Sequence, residues 1–438
     1  MNKTIGFFFV AACLVSCSPR IHQAATGYSK DGTTVGREWI SRPAGFSGRY
    51  KLEEMVVLSR HNIRSPLSGS GSVLSRITPH EWFSWTSAPA ELSLRGGVLE
   101  TQMGQFFRQW LVEEGLMEQN ELPAEGEMRF YSNSMQRTIA TAQYFSSGML
   151  PIANVEVEHH YYVGTMDPVF HPQLTKVDDA FKDRAIKEIS EMGGGSLKEA
   201  GEKLSANYKV LEKVLDILDS PAAKNDTTSF RTDDLVVKLE PFKEPAMTGG
   251  LKMANSASDA LVLQYYEEPD ELKAAFGHDI SLEDWESIAA VKDWYGDVLF
   301  SSYSVAVNVA HPLLETMLSE LNTEGRKFSF LCGHDSNIAS VLASLQAEDY
   351  SLPDAIEKRT PIGSKLVISK WKGVDGKEYA DLYLVYATPE QLRSTPMLSL
   401  QNPPVAFPVK LKGIKSNSDG LYLLKDLEQR FKEAVEAY

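Results

Sequence analysis

Arg60, His61 and Arg64 fall within one short stretch, LSRHNIRSP at residues 58–66, and Arg137, His334 and Asp335 add groups of related chemistry further along the chain. Guanidinium groups at Arg60, Arg64 and Arg137 offer planar, paired donors that stay charged at any working pH, a donor set suited to phosphoryl oxygens. Arginines alone would only bind. His61 stands between two of them, and neighbouring positive charge favours the neutral imidazole, which can attack phosphorus. His334 could donate a hydrogen bond to the same oxygens, and Asp335 could hand a proton to a departing alkoxide. The set contains a nucleophile, charge stabilisation and an acid.

Each residue also has a plainer reading. Taken singly, Arg60 or Arg64 fits a surface salt bridge and His61 a solvated turn, while Arg137 fits the exposed face of a helix start. Asp335 fits a helix cap, a role compatible with catalysis. Asp167, in GTMDP, reads as a turn former. Trp82, Phe83 and Trp85 could stack on a sugar, or simply pack. His159 and His160 share no metal-ligand spacing with nearby Cys or acidic residues, so neither a metal nor another cofactor is expected.

The candidate groups sit where apolar runs give way to polar turns. Met55–Leu58 reads as a core strand and Ser59–Pro66 as the turn leaving it. MRFYSNSMQRT gives a strand over Arg129–Tyr131 and a helix over Gln136–Phe145; KFSFLCGHDSNIASVLASL gives a strand over Lys327–Leu331 and a helix over Asn337–Leu345. Open α/β sheets build their sites at such strand ends. Amphipathic helices are expected over Gly97–Glu114 and Tyr303–Leu321, and late strands over Lys365–Ser369 and Ala380–Tyr386. The alternation predicts an α/β fold, with a mixed central sheet flanked by helices. Residues 173–291 differ: helical patterns at Asp178–Met192, Leu197–Leu218 and Ala254–Tyr266 surround polar irregular sequence. They predict a mainly helical cap over the strand ends, placed to choose the substrate, with the core formed by 50–172 and 292–438.

The 438 residues, 43% hydrophobic and 24% charged, can bury a large core. A net charge of −15 disfavours nucleic acid as a partner, because long-range attraction would have the wrong sign. At the N-terminus, Lys3 precedes an apolar run from Ile5 to Val15 that is too short for a permanent span and ends in LVSC. This resembles a bacterial lipobox and implies a signal over 1–17, cleavage before Cys17 and lipidation of its thiol. The protein would then be exported and lipid-anchored to a membrane, in the periplasm or at the cell surface. An ordinary signal peptide containing a cysteine is the alternative. Either way Cys332 is left alone, and no disulfide is expected. Residues 18–49 read as a flexible spacer.

RHNIRSP resembles the RHGxRxP signature of the histidine acid phosphatases, and GHDSN resembles their HD motif, in the right order. The likeness extends over essentially the whole chain from about residue 50, through LRGGVLETQMGQFFRQWL, NSMQRTIATAQYF, GTMDPVFHP, DALVLQYYE and RTPIGSKLVISKW, and is strongest toward the bacterial glucose-1-phosphatase branch. It implies a phosphoglycerate-mutase-like α/β core with a helical cap, and metal-independent hydrolysis through a phosphohistidine. By the same likeness His61 is the nucleophile, Asp335 the proton donor, His334 a catalytic partner, and Arg60, Arg64 and Arg137 the phosphate clamp. Asn62, a candidate substrate contact by this likeness, replaces the usual glycine, as it does in that branch. Leu67 would narrow the rim without charge, and Glu244, in FKEP, would meet sugar hydroxyls. The implied substrate is a small phosphate monoester such as glucose 1-phosphate; alternatives are a phytase and a catalytically silent, lipid-anchored sugar-phosphate binder. Phosphoglycerate mutase chemistry is disfavoured by export. Retention of both His61 and Asp335 argues against the silent binder.

Overall fold

The computed structural model describes residues 39–67, 72–225, 229–230 and 235–438. The proposed signal and Cys17 lie outside the described residues. Seven strands form the main sheet: β1 (Tyr50–Arg60), β2 (Met128–Ser132), β3 (Phe328–Gly333), β4 (Lys365–Gly373), β5 (Glu378–Tyr386), β6 (Val405–Pro408) and β7 (Tyr422–Leu423). They run in the order β2-β3-β1-β4-β5-β6, with β7 also on β5. β2, β3 and β1 are parallel, and the pairings from β1 through β4 and β5 to β6 and β7 are antiparallel. The sheet is mixed and flanked by helices.

β1 is longer than its apolar run, because it is the central strand and pairs on both edges. Its side chains alternate between two cores. Met55 and Val57 join the helices Leu94–Glu113 and Gln136–Met149; Val56 and Leu58 join Tyr303–Leu321, Asp335–Ser344 and Leu424–Glu436. Burial on both faces explains why the strand reads as a continuous apolar run rather than an alternating one.

The structure differs from the expectations in three places. Residues 39–49, read as the end of a spacer, belong to the folded unit that begins at Trp39. Trp39 packs edge-on against Phe106 and Trp110, and Arg42 pairs with Asp381 at 3.0 Å, since an aromatic and a long cation cover exposed apolar surface well. The single helix expected over Leu197–Leu218 is broken into Leu197–Lys203, Ser205–Val214 and a 3-10 turn at Ile217–Asp219. Asp216 adopts the left-handed conformation (φ 46°) just before that turn, which no α-helix can continue through. The helix Leu282–Phe300 also runs through the expected boundary at residue 291.

The helices Leu94–Glu113 and Gln136–Met149 meet at glycines. A Cβ on Gly104 would stand 2.0 Å from the Phe145 carbonyl oxygen, and one on Gly148 would stand 2.0 Å from that of Thr101. Backbone cannot yield as a flexible side chain can. Replacing Gly148 with Ala gains about 1 kcal/mol of helix propensity, but overpacking costs about 1–3 kcal/mol. Gly148→Ala should therefore be net destabilising in urea unfolding. A neutral or stabilised variant would contradict so close a crossing.

Candidate active site

Parallel register brings the separated motifs together. Arg60, at the end of β1, pairs across the sheet with Gly333, at the end of β3, so His61 and His334 emerge side by side with ring centroids 5.5 Å apart. The His61 amide donates to the Gly333 carbonyl at 3.1 Å, and the Asn133 amide, just past β2, donates to the Cys332 carbonyl at 2.9 Å. Three strands thus end on one level, and their next residues line one bowl.

Arg60 is the floor of that bowl. Its side chain is 1% exposed, with Nη1 2.7 Å from Glu357 Oε1 and Nη2 3.4 Å from Asp335 Oδ2. Lys292 Nζ lies 3.0 Å from the same Glu357 oxygen and 3.3 Å from Asp335. Burial alone would push the Glu357 carboxyl up, but Arg60 and Lys292 outweigh it and bring it down to about 2. Burial likewise opposes ionisation of Asp335, and Arg60 and Lys292 again prevail, holding it well below the usual carboxylate range. The sequence reading missed Glu357 and Lys292, although Glu357 lies just before the quoted RTPIGSK.

Arg64 is buried and donates through Nη2 to Asp259 Oδ2 at 3.0 Å. Arg137 has no carboxylate at ion-pair distance among the described residues; burial, then Arg64, lowers its pKa to about 10. The Nε donors of Arg60, Arg64 and Arg137 are all buried without a hydrogen-bond partner among the described residues. Three cations with unspent donors around a strand end make a site for an anion. Burial first, then Arg137, Arg64, His334 and Arg60, hold the His61 imidazole well below its ordinary pKa.

The tautomers follow from the partners. His61 Nδ1 is 2.9 Å from the Asn62 carbonyl oxygen, which can only accept, so Nδ1 carries the proton and the Nε2 lone pair is left free. Asn133 Oδ1 accepts from the Asp167 amide at 2.8 Å, so its Nδ2 donates to His334 Nε2 at 2.7 Å. His334 therefore accepts at Nε2 and carries its proton on Nδ1; Arg137 Nη2, which can only donate, lies 3.5 Å from Nδ1, too far to compete with the 2.7 Å bond that sets the tautomer. Asn133 was not singled out from the sequence as a site residue. Asp167 forms the expected turn and also accepts from the Tyr131 hydroxyl at 2.7 Å, so it braces Asn133.

Asn62 donates to Glu100 Oε1 at 2.7 Å, and Glu100 pairs with Lys365 at 3.0 Å with both side chains fully buried. The Asn62 side chain is thereby committed beneath the turn that carries His61. Asp335 is the first residue of its helix rather than its cap; Oδ1 takes the Ser336 amide at 3.0 Å while Oδ2 faces Arg60 and Lys292.

A pocket of about 180 Å³ opens above Asp335, lined by Arg64, Leu67, Asp259, Lys292, Tyr295 and Phe300 among others. Leu67 is on its rim, 61% exposed. Glu244 is not among the lining residues: it lies 3.4 Å from His171 Nε2, and its charge helps raise the Tyr295 hydroxyl, chiefly raised by burial. Trp82, Phe83 and Trp85 do not line the pocket either; Trp82 packs on Phe276 and Phe83 on Trp85. His159 and His160 remain outside any metal-ligand group, but His80, Asp216 and His278 form one.

A family model described as the histidine phosphatase superfamily (branch 2) matches residues 51–385. The chain is 38% identical to a glucose-1-phosphatase of Salmonella typhimurium over 378 residues, 85% of this chain and 89% of that one. It is 26% identical to the phytase AppA of Escherichia coli over 402 residues, 88% and 92% of the two chains. The solved structure of the phytase from Citrobacter braakii superposes with a TM-score of 0.80 at 25% identity, covering 88% of this chain and 98% of that one.

Arg137 is the first electrostatic cause, after burial, of the depressed pKa at both His61 and His334. Removing a cation makes it easier to add a proton, so Arg137→Ala should move both imidazole titrations to higher pH. Histidine ring resonances followed by NMR across acid pH would show it; unchanged or lowered titrations would mean that Arg137 does not face the rings.

Proposed function

The chain belongs to the histidine phosphatase superfamily (branch 2) and is a phosphoric monoester hydrolase, and from that premise we propose that it hydrolyses small sugar phosphates such as glucose 1-phosphate through a phosphohistidine on His61. The observation that carries the reading is the neutral His61 ring, with its Nε2 lone pair free, among three arginines with unspent donors. Attack by Nε2 on phosphorus forms a P–N bond as the P–O bond to the alkoxide breaks. Arg60, Arg64, Arg137 and the Nδ1–H of His334 neutralise the phosphoryl oxygens, and water then cleaves the P–N bond to release phosphate.

Asp335 is the proposed proton donor to the alkoxide. In the free site the cations hold it ionised. A phosphoryl dianion seated among those cations offsets them and raises its affinity for a proton, so the substrate itself prepares the acid.

The choice of a monophosphate rests on charge pairing in the pocket. Each of the cations lining it is already tied to a carboxylate: Arg64 to Asp259, Lys292 to Asp335 and Glu357, and Arg359 to Asp297 at 2.8 Å. A second phosphate would lose its water with little compensation. Asp293, raised to about 7 by burial and then by Glu357, is neutral at mildly acid pH and suited to a hydroxyl. Glu244, next to Tyr295, is the proposed further hydroxyl contact. Asp259 and Tyr295 come from the helices Gly250–Glu267 and Leu282–Phe300, which supports reading this part of the chain as a substrate-choosing cap.

Steady-state kinetics on glucose 1-phosphate, phytate and p-nitrophenyl phosphate test both proposals. Glucose 1-phosphate should have a higher kcat/KM than phytate, and Asp335→Asn should cost about 10²–10⁴-fold on the sugar ester but far less on p-nitrophenyl phosphate, whose leaving group needs no proton. Preference for phytate would move the assignment to a phytase; equal losses would remove Asp335 from the acid role.

We also propose export and lipid attachment at Cys17, on the strength of the LVSC pattern. No helix among the described residues is long and apolar enough to cross a membrane. Cys17→Ser should move the protein from the membrane fraction to the soluble one, and unchanged fractionation would refute the anchor.

A further inference from the structure

Three segments remote from one another in sequence direct metal-binding side chains to one point. His80 follows the 3-10 turn Val73–Ser75, Asp216 follows the helix Ser205–Val214, and His278 follows the short helix Glu271–Ala274. His80 Nε2 lies 2.6 Å and His278 Nε2 3.0 Å from the same oxygen, Asp216 Oδ2, and the three ligand atoms all fall within 4.8 Å of one another. No residue of this group lines the pocket above Asp335.

We propose that His80, Asp216 and His278 form a binding site for a borderline divalent transition ion, zinc above all, which staples the cap to the segment that follows the RHNIRSP turn. Two imidazoles and one carboxylate suit zinc and its neighbours, whereas calcium and magnesium prefer sites built from oxygen. In a tetrahedral zinc site neighbouring ligand atoms are about 3.3 Å apart. The two histidine-to-Asp216 separations are slightly shorter, and all three ligand atoms lie within 4.8 Å of one another, so small side-chain rotations would open room for the ion. Binding exchanges two N–H···O hydrogen bonds for metal bonds: each neutral ring takes its Nδ1–H tautomer and offers the Nε2 lone pair, and water completes the shell.

The surroundings favour ligation. The three side chains are 24–33% exposed, so an ion can enter from solvent while the ligands remain held. The His80 ring is stacked on Phe276, with centroids 5.0 Å apart and planes at 14°, and Trp82 packs edge-on against the same phenyl ring. Asp216 and Phe276 both occupy left-handed backbone (φ 46° and 54°), a costly conformation for residues other than glycine. Among the described residues no Lys or Arg side chain lies at ion-pair distance from Asp216 to compete with an ion for its carboxylate.

The test is zinc binding to the full folded protein after treatment with chelator and its removal. Competition against a chromophoric zinc indicator should give one zinc per chain with a Kd in the micromolar range or tighter, lost in His80→Ala and in His278→Ala but kept in His159→Ala. Zinc at about a hundredfold excess over Kd should raise the Tm of the unaltered protein by roughly 3 °C and leave both variants unmoved. Running His80→Ala and His278→Ala in parallel, each checked for a cooperative melt without zinc, keeps the test decisive if one fails to fold. Zinc uptake equal in the unaltered protein and either folded variant, or binding only in the millimolar range, would overturn the site.

Discussion

The buried charge of Arg60 is the constraint around which the rest of the site is arranged. A guanidinium with 1% of its surface exposed cannot be left alone in an apolar interior, and Glu357, also fully buried, meets it at 2.7 Å. Two such charges would still leave lone pairs and protons unspent; Lys292, Asp335 and the Ile362 amide take up part of them, and Arg60 Nε stays without a partner among the described residues. The turn at residues 357–362 and the start of the helix Asp335–Ser344 contact Arg60 directly, and the helix Leu282–Phe300 joins them through Lys292, which pairs with Glu357 and Asp335. Breaking it from any side would strand a buried charge.

Above that floor the balance of charge reverses. Arg137 has no carboxylate at ion-pair distance among the described residues, and burial, then Arg64, lowers its pKa to about 10. Burial first, and then these cations, hold the His61 and His334 imidazoles well below their ordinary pKa. In the proposed reaction an anion would partner these cations, and a ring with a free lone pair would attack it. A phosphoryl group would offset the excess positive charge, while the network below holds Arg60 in place.

The rim behaves differently because each of its cations is paired with a carboxylate, although Arg64 keeps an unpartnered Nε among the described residues. Arg64, Lys292 and Arg359 each face a carboxylate, so the space beyond the phosphoryl site is polar but not strongly cationic. Leu67 and Phe300 add apolar surface there. Under the proposed function, such a pocket would discriminate by hydroxyl placement and by how many charges the ligand brings.

Much of the scaffold was legible from local pattern. The run Met55–Leu58 announced a strand buried on both faces, the turn after it announced the site, and Arg60, His61, Arg64, His334 and Asp335 could be named because strand, turn and chemistry lie within a few residues of one another. Helix limits slipped by a few residues, and the break at Asp216 went unseen because a left-handed aspartate leaves no mark in hydrophobic periodicity. Glu357, Lys292, Asp259 and Asn133 were invisible as partners, as was the meeting of His80 with Asp216 and His278. Secondary structure and turn chemistry are set by neighbours along the chain, so the sequence determined where β1 ends and which groups stand there; only the tertiary structure decided what those groups face, because a buried charge is paired by whatever the in-register strands and the packed cap bring within about 3 Å of it.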